Sequence, residues 1–210
     1  MRRITKLLIG LLVILLVSAG ILWLFWRYQL IPLETLVLPS PAGETVVDDG
    51  SGTRMTAKNA YAVAEPLAQG WANDARLIST QATFEPGSDI QSGEGDWTLV
   101  FYSPEKFSTA LISVMENKAT LINERNATQN PVLHELDAWQ IDSPNVVNQM
   151  LKEGGDEFLR SQPGAVLVLS LDMEGQGGWK GRFIHKETRR TFTVQLGAEK
   201  GEVIAVQQTG

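Results

Sequence analysis

Two stretches of the sequence follow the same pattern of apolar and turn-forming residues at an offset of 82 positions. The segment WTLVFYSPEKFSTALISVMENKATLI, which begins at Trp97, aligns without a gap on WKGRFIHKETRRTFTVQLGAEKGEVI, which begins at Trp179. Phe101 then aligns with Phe183. Few residues are identical, so the alignment depends on the apolar and turn patterns together. We therefore predict a structural unit that is present twice, with Trp97, Phe101, Trp179 and Phe183 in its core.

Each copy is predicted to contain about four antiparallel strands. Phe192, Val194 and Leu196 alternate with polar residues, which is typical of a strand with one buried and one solvated face. Turn-forming residues follow this strand, and a last strand follows the turn. One further strand leads into each Trp, over residues 77–84 and 165–173.

A helix is predicted before each set of strands. Small and apolar residues recur every three or four positions over residues 57–75, with Thr56 as a candidate N-cap. Pro66 lies inside this pattern and is expected either to kink the helix or to start its last turns. In the second copy, Asp142 or Ser143 caps a helix. The predicted fold class is therefore α+β, with two repeats of a helix packed on an antiparallel sheet of about four strands.

A transmembrane helix is predicted ahead of the two copies. Residues 7–26 contain no charged side chain, and about 20 residues of helix span about 30 Å, which matches the hydrocarbon core of a bilayer. A cleaved signal peptide is the alternative, but its apolar region is usually only about 7 to 15 residues long. We expect Leu7, Trp23, Trp26 and Tyr28 to contact the lipid bilayer, with the aromatic residues at its outer interface.

The charges around the apolar run predict its orientation. Arg2, Arg3 and Lys6 precede it, whereas only Arg27 follows it closely. By the positive-inside rule, the N-terminus is cytoplasmic and the rest of the chain is extracytoplasmic, in a single-pass protein of the cell membrane. The predicted division is a cytoplasmic tip with the anchor (1–28), an extended stalk (29–55), repeat 1 (56–125), and a crossing segment with repeat 2 (126–210).

Composition argues against several classes of function. Residues 1–27 hold four of the 18 basic residues and none of the 24 acidic ones, so the other 183 residues have a net charge of −10. A nucleic-acid partner is not expected for so acidic a domain, because such binding needs a basic face. The chain contains no Cys, which excludes disulfides, a thiolate zinc site, a Cys nucleophile and a lipid-modified Cys within it.

No group of polar residues in the sequence matches a catalytic, cofactor-binding or metal-binding motif. His134 and His185 are the two histidines, and neither has a second ligand at a suitable spacing. The sequence contains two clusters of acidic residues, one of Glu135, Asp137 and Asp142, and one of Asp48 and Asp49. Neither cluster has the alternating oxygen ligands of a calcium-binding loop, so we expect both to lie in solvated loops. We therefore predict that the protein is not an enzyme and needs no cofactor or metal.

The tryptophans allow two interpretations. Trp71, Trp97, Trp139 and Trp179 could together line a ligand groove. Trp97 and Trp179 begin equivalent strands, however, so we expect each of them to fill the core of its own helix–sheet unit.

Several tracts of the second copy resemble one known domain family. The tracts are WQIDSP (139–144) at the start of the helix, Gly154-Gly155 and Phe158-Leu159 at its end, the strand at 165–171, Trp179, and the closing TFTVQLGAEKGEVIAV. Together they resemble the PepSY and PepSY-like domains of bacterial envelope and secreted proteins. The resemblance covers about residues 57 to 208. Copy one departs from it more, through Pro66 and its longer loop before Trp97.

The resemblance implies a binding role. PepSY domains occur in peptidase propeptides and in membrane-bound envelope proteins, are thought to bind or inhibit peptidases, and have no catalytic residues to carry over. We expect a non-catalytic module that binds a protein or peptide, and that regulates or inhibits an envelope peptidase or scaffolds an envelope complex. A small-ligand sensor and an envelope hydrolase are the alternatives. If the protein is a hydrolase, we expect polar groups that converge in one cleft. If it is a sensor, we expect an apolar pocket.

Overall fold

The strands of both copies form one antiparallel sheet of eight strands. The computed structural model describes residues 54–175 and 177–210, which belong to one compact unit. The α-helices of this part are α1 (Ala57–Trp71), α2 (Ser143–Met150) and α3 (Asp156–Ser161). The strands are β1 (Arg76–Phe84), β2 (Trp97–Ser103), β3 (Ser108–Met115), β4 (Lys118–Asn126), β5 (Val166–Asp172), β6 (Gly178–His185), β7 (Arg190–Leu196) and β8 (Val203–Thr209).

The sheet is continuous because β1 and β5 pair with each other. The strand order is β4-β3-β2-β1-β5-β6-β7-β8, and neighbouring strands are antiparallel. At the centre, Thr80 lies opposite Leu171 and Gln81 lies opposite Ser170. This pairing satisfies backbone groups that would otherwise form two more sheet edges. The predicted α+β class with antiparallel strands is confirmed, and the two sets of about four strands are joined in one sheet.

The two halves of the sheet pair in the same register. Trp97 lies opposite Val114 in β2 and β3, and Trp179 lies opposite Leu196 in β6 and β7. Each residue of the second pair follows its counterpart by 82 positions, which is the offset of the sequence alignment. The strand order is symmetric about the β1–β5 pair, so equivalent strands lie on opposite sides of the sheet centre.

The two edge strands share one irregularity. The register of β4 on β3 shifts by one residue at Ile122, and the register of β8 on β7 shifts by one residue at Ile204. Such bulges add local twist at the edge of a sheet. Ile122 and Ile204 are again 82 positions apart, so the halves share this bulge as well as their strand order.

One face of the sheet, here called the covered face, packs against the helices. Its buried side chains come from both halves and form a single hydrophobic cluster. Helix α1 contributes a stripe of fully buried alanines, and side chains this small allow the helix to approach the sheet closely. The stripe consists of Ala57, Ala60, Ala64 and Ala68.

Helix α1 begins as predicted but ends earlier. The hydroxyl of Thr56 accepts a hydrogen bond from the backbone N–H of Asn59 at 3.4 Å, which confirms Thr56 as the N-cap. Pro66 lies within the helix at an exposed position. The helix ends at Trp71 rather than near residue 75, because the chain becomes extended at Ala72 and turns into β1.

The second helical segment continues past the predicted stop at Gly154 and Gly155. Gly154 has a left-handed backbone (φ 117°) within a π-helical turn over Leu151–Gly155, and α3 follows directly. A Cβ at Gly155 would lie 2.7 Å from the ring of Phe183. The glycines therefore allow a kink and a close approach to the sheet, rather than ending the helix.

No helix within residues 54–175 and 177–210 is both long enough and apolar enough to cross a membrane. The predicted anchor, with Leu7, Trp23, Trp26 and Tyr28, lies outside the described residues, as do positions 29–53 of the predicted stalk.

Candidate binding surface

The core residues predicted from the repeat come together at the centre of the molecule. Trp97 and Trp179 are 0% and 1% exposed, and their rings meet edge to face with centroids 6.4 Å apart. Trp139, from the crossing segment, packs on Trp179 at 6.1 Å. Trp97 and Trp179 therefore share one core, whereas the sequence predicted a separate core for each copy.

The two equivalent phenylalanines are also buried and do not form a surface. Phe101 is 1% exposed and stacks on Tyr61 at 6.1 Å, and Phe183 is fully buried against Phe158 and Phe192. Burial raises the pKa of the Tyr61 hydroxyl above its usual range, and a 2.9 Å hydrogen bond to the Glu65 carboxylate raises it further. Tyr61 is thus held as a neutral phenol at the margin of the core, where it is partly buried.

The N-termini of α1 and α2 meet at Asp142 and Ser143. The fully buried Ser143 hydroxyl accepts a hydrogen bond from the N–H of Ala57 at 3.0 Å and donates one to the carbonyl of Gly93 at 2.7 Å. Asp142 Oδ1 accepts from the N–H groups of Ser143 at 2.7 Å and Lys58 at 3.1 Å. Asp142 therefore caps two helices, and the prediction that it lies in a solvated loop is wrong.

Both histidines take part in local loop contacts. His134 Nε2 lies 2.7 Å from the carbonyl of Gly175, and His185 Nδ1 lies 2.9 Å from the hydroxyl of Thr188. These contacts fix the crossing segment and the β6–β7 turn, respectively. Within residues 54–175 and 177–210, no three His, Asp or Glu side chains are placed to hold a metal ion.

The face of the sheet opposite the covered face, here called the open face, carries polar and β-branched side chains. Its central positions are only partly buried, in contrast to the alternating positions that pack on the helices. They include Thr98, Val100, Leu111, Ser113, Val168, Ser170, Thr193 and Gln195. At one corner Tyr102 is buried, and its hydroxyl donates to Asn130 of the crossing segment. The rest of the open face, here also called the platform, is exposed to solvent along the strands that the structure describes.

The edge strands expose large apolar side chains. On β8, Val203, Ile204 and Val206 are 40%, 53% and 44% exposed. On β4, Leu121 and Ile122 are 39% and 43% exposed. No strand among the described residues pairs with the outer side of either edge. Such edges present free backbone groups and apolar side chains together, which is the arrangement used in strand addition.

Two open clefts flank Ile204 at the start of β8. Their volumes are about 200 and 290 Å³, and both are lined by Asp172, Gly177 and Ile204. Carboxylates predominate among their charged groups. The charged and titratable side chains that line them are Asp172, Glu174, Glu199, Glu202, Lys180 and His134.

The sequence did not indicate which strands lie at the edges of the sheet, although one signal was present. The tract VIAVQQT of β8 has no charged residue, which is unusual for a strand at the edge of a sheet. Its place at the edge follows from the strand order, which the alternation of apolar residues does not encode.

Comparisons with known proteins identify no family for this chain. No protein-family model matches the sequence. No curated protein matches it either. Among solved structures, the chain is similar to the crystal structure of a putative lipoprotein (CD1622) from Clostridium difficile 630, with 11% sequence identity and a TM-score of 0.46. The match covers 69% of this chain and 90% of that chain. Nothing about the function of this chain follows from a likeness at that level.

Proposed function

We propose that this protein is a membrane-anchored, extracytoplasmic binding module without catalytic activity, built from two PepSY-like repeats. Its partner is a protein or peptide of the cell envelope, and binding regulates or inhibits a peptidase or scaffolds a complex. The observation that carries the proposal is the solvent-facing platform of an eight-stranded sheet whose other face is packed by helices.

The open face has the character of a protein-binding surface. Partly exposed Val100, Leu111 and Val168 alternate with Ser and Thr side chains, so apolar contact and hydrogen bonding are both available. Protein interfaces of this mixed composition are common among complexes that form and dissociate. Six of its eight strands are paired on both sides, so most backbone groups of the platform are held by the sheet.

The titratable groups with shifted pKa values favour a binding module over an enzyme. Tyr61 packs against the core and is bonded to Glu65. Asp74, whose pKa is lowered chiefly by a hydrogen bond from the Ser103 hydroxyl, holds the β2–β3 turn. Each group has a local structural partner, and a catalytic pair would instead share one cleft.

The clefts favour a protein partner over a small apolar ligand. The two clefts beside Ile204 are open, and a third cleft of about 480 Å³ is lined largely by Asn, Gln and Lys side chains. A pocket for a small apolar ligand is usually concave and lined mainly by apolar groups.

Site-specific photocrosslinking in membranes tests the binding role. A photoreactive amino acid at Thr98 or Thr193 of the open face is expected to capture a discrete partner. The same group at Ala62, on the exposed side of α1, is the matched control and is expected to capture none. Equal capture from Ala62, or no capture from either open-face position, would contradict the proposal.

The anchor and its orientation are tested separately by protease protection. Protease added to spheroplasts is expected to degrade residues 57–210, while a tag placed before Arg2 stays protected until the membrane is lysed. Protection of residues 57–210 would overturn the proposed orientation without affecting the fold.

A further inference from the structure

The two edge strands differ in the features that keep a sheet edge from pairing with another chain. Natural edge strands are commonly protected by charged side chains, Pro or bulges. Strand β4 contains Lys118, Glu124 and Arg125. Strand β8 reads VIAVQQT, without a charged residue, Pro or Gly. Since both strands have a bulge, β8 is the less protected of two otherwise equivalent edges.

The exposed valines of β8 continue the apolar side of the sheet beyond β7. Val203 lies opposite Leu196, and Val206 lies opposite Val194. Leu196 and Val194 are fully buried, whereas Val203 and Val206 are 40% and 44% exposed. A further strand beside β8 would remove this apolar surface from water and would pair the free backbone groups.

The residues around the two ends of β8 carry opposite net charges. The surroundings of its first residues contain Asp172, Glu174, Glu199 and Glu202, with Lys180 and Lys200. The β6–β7 turn beside its last residues contains Lys186, Arg189 and Arg190, with Glu187. Neither Glu202 nor Arg190 forms a salt bridge with another described residue. When two identical strands pair antiparallel, the acidic end of each lies beside the basic end of the other.

We propose that β8 pairs with β8 of a second copy of this chain, antiparallel and about a two-fold axis at Val206. Val206 is the central residue of the strand, so this register gives the greatest overlap. Each Val206 then lies opposite Val206 of the other copy. The acidic surroundings at the start of each β8 lie beside the basic surroundings at the end of the other β8. The two eight-stranded sheets become one continuous sheet. The open faces of both copies then form a single larger platform.

Disulfide trapping tests the register, because the chain contains no Cys of its own. In the 210-residue chain purified in detergent, Val206→Cys is expected to form a covalent dimer on mild oxidation, since residues at the axis lie opposite each other. Gln208→Cys lies away from the axis, and Glu124→Cys is the equivalent position on β4. Both controls are expected to crosslink poorly, and equal crosslinking of Glu124→Cys overturns the choice of β8.

Sedimentation equilibrium tests the association without a crosslink. Val206→Asp places two like charges at the axis and is expected to weaken the dimer by about 100-fold. Leu121→Asp, at a similarly exposed position on β4, is the matched control and is expected to leave the dimer unchanged. Dimerisation of Val206→Asp at the wild-type affinity overturns the proposal, even if the predicted anchor also associates.

Charge reversal adds a specific rescue. Glu202→Arg and Arg190→Glu are each expected to weaken the dimer by about fivefold, and the double variant is expected to recover wild-type affinity. A wild-type chain that stays monomeric at all concentrations overturns the proposal and leaves β8 available to a strand of another protein. The photocrosslinking result for the open face is independent of this outcome.

Discussion

The indole rings of Trp97 and Trp179 meet edge to face, with centroids 6.4 Å apart and planes inclined at 75°. These residues are 82 positions apart and lie at the starts of equivalent strands, Trp97 as the first residue of β2 and Trp179 as the second residue of β6. An edge-to-face contact places the positive edge of one ring on the negative face of the other. The two copies are therefore joined in the core by the same residue type that marks their repeat in the sequence.

Replacing each of these tryptophans by Phe is expected to have unequal effects. Trp97 Nε1 donates to the carbonyl of Met55 at 2.7 Å, whereas Trp179 Nε1 has no hydrogen-bond partner among the described residues. Only Trp97→Phe therefore removes a buried hydrogen bond, while the Met55 carbonyl keeps the bond that it accepts from the N–H of Gly95 at 3.0 Å. We expect it to lower the free energy of unfolding by about 1 kcal/mol more than Trp179→Phe does. Urea denaturation measures both, and equal losses would argue against a role for this hydrogen bond.

Loss of the Ser143 hydroxyl is expected to loosen the junction of the two helices. Ser143→Ala leaves the N–H of Ala57 and the carbonyl of Gly93 without their partner in a buried position. We expect the free energy of unfolding to fall by about 2 kcal/mol or more. Ser161→Ala removes a hydroxyl that bonds only to the carbonyl of Phe158 and serves as the control. Thermal unfolding measures the stability of both variants. An equal loss of stability in Ser143→Ala and Ser161→Ala would contradict the role of Ser143 at the helix junction.

Replacing Gly93 by Ala is expected to lower the free energy of unfolding, whereas replacing Gly70 by Ala is expected to raise it. Gly93 has a left-handed backbone (φ 63°), and a Cβ there would lie 2.4 Å from the backbone nitrogen of Pro144. Gly93→Ala is expected to cost about 3 kcal/mol, from backbone strain and from displacement of α2.

Gly70 gives the opposite expectation within a helix. A Cβ there meets no atom within 4 Å, so Gly70→Ala is expected to raise the free energy of unfolding by about 0.5–1 kcal/mol. Chemical denaturation of both variants provides the measurement. A Gly93→Ala variant as stable as wild type would show that the loop and α2 are not in close contact.

The contribution of Asp74 to stability is expected to depend on pH. The Ser103 hydroxyl donates to its carboxylate at 2.6 Å and the N–H of Glu105 at 2.7 Å, and these bonds lower its pKa in the folded state. The contribution is therefore complete above the ordinary pKa of 3.8 and is lost as the pH falls through the lowered value. Asp74→Asn should be less stable than wild type at neutral pH, and the difference should shrink below pH 3.8.

The control for this pH dependence is Asp96→Asn, which changes an exposed carboxylate. Its stability should follow that of wild type across the acid range. Denaturation curves recorded at a series of pH values provide the comparison. A difference between Asp74→Asn and wild type that stays constant down to the acid limit would contradict the proposed ionic hydrogen bonds.

Features that depend on neighbours in the chain could be predicted from the sequence. Thr56 and Asp142 are N-caps because their side chains reach backbone N–H groups only a few residues away. The alternation around Phe192 and Val194 predicted which side chains are buried, because successive residues of a strand point to opposite faces. The predictions were wrong where contacts between residues distant in sequence decide the structure. Gly155 was predicted to end the helix, but it instead leaves room for the ring of Phe183.

The repeat predicted more than single elements, because equal spacing of apolar residues leads to equal strand register. The pairs Trp97–Val114 and Trp179–Leu196, found in the structure, are related by the same offset of 82 positions. The same offset relates the bulges at Ile122 and Ile204, which the alternation pattern alone did not predict. The membrane anchor at residues 7–26 is likewise a property of one continuous run of sequence, and it stays a prediction.

By itself, the sequence determined the α+β class, the duplicated order of helix and strands, and the constant offset between the two halves. Only the tertiary structure decided that β1 pairs with β5, that Trp97 meets Trp179, and that β8 lies at a sheet edge with its valines exposed. Caps and alternation are set by interactions between residues close in sequence. The choice of a strand's neighbour instead depends on the total backbone pairing and apolar burial gained over the whole sheet, which no local pattern encodes.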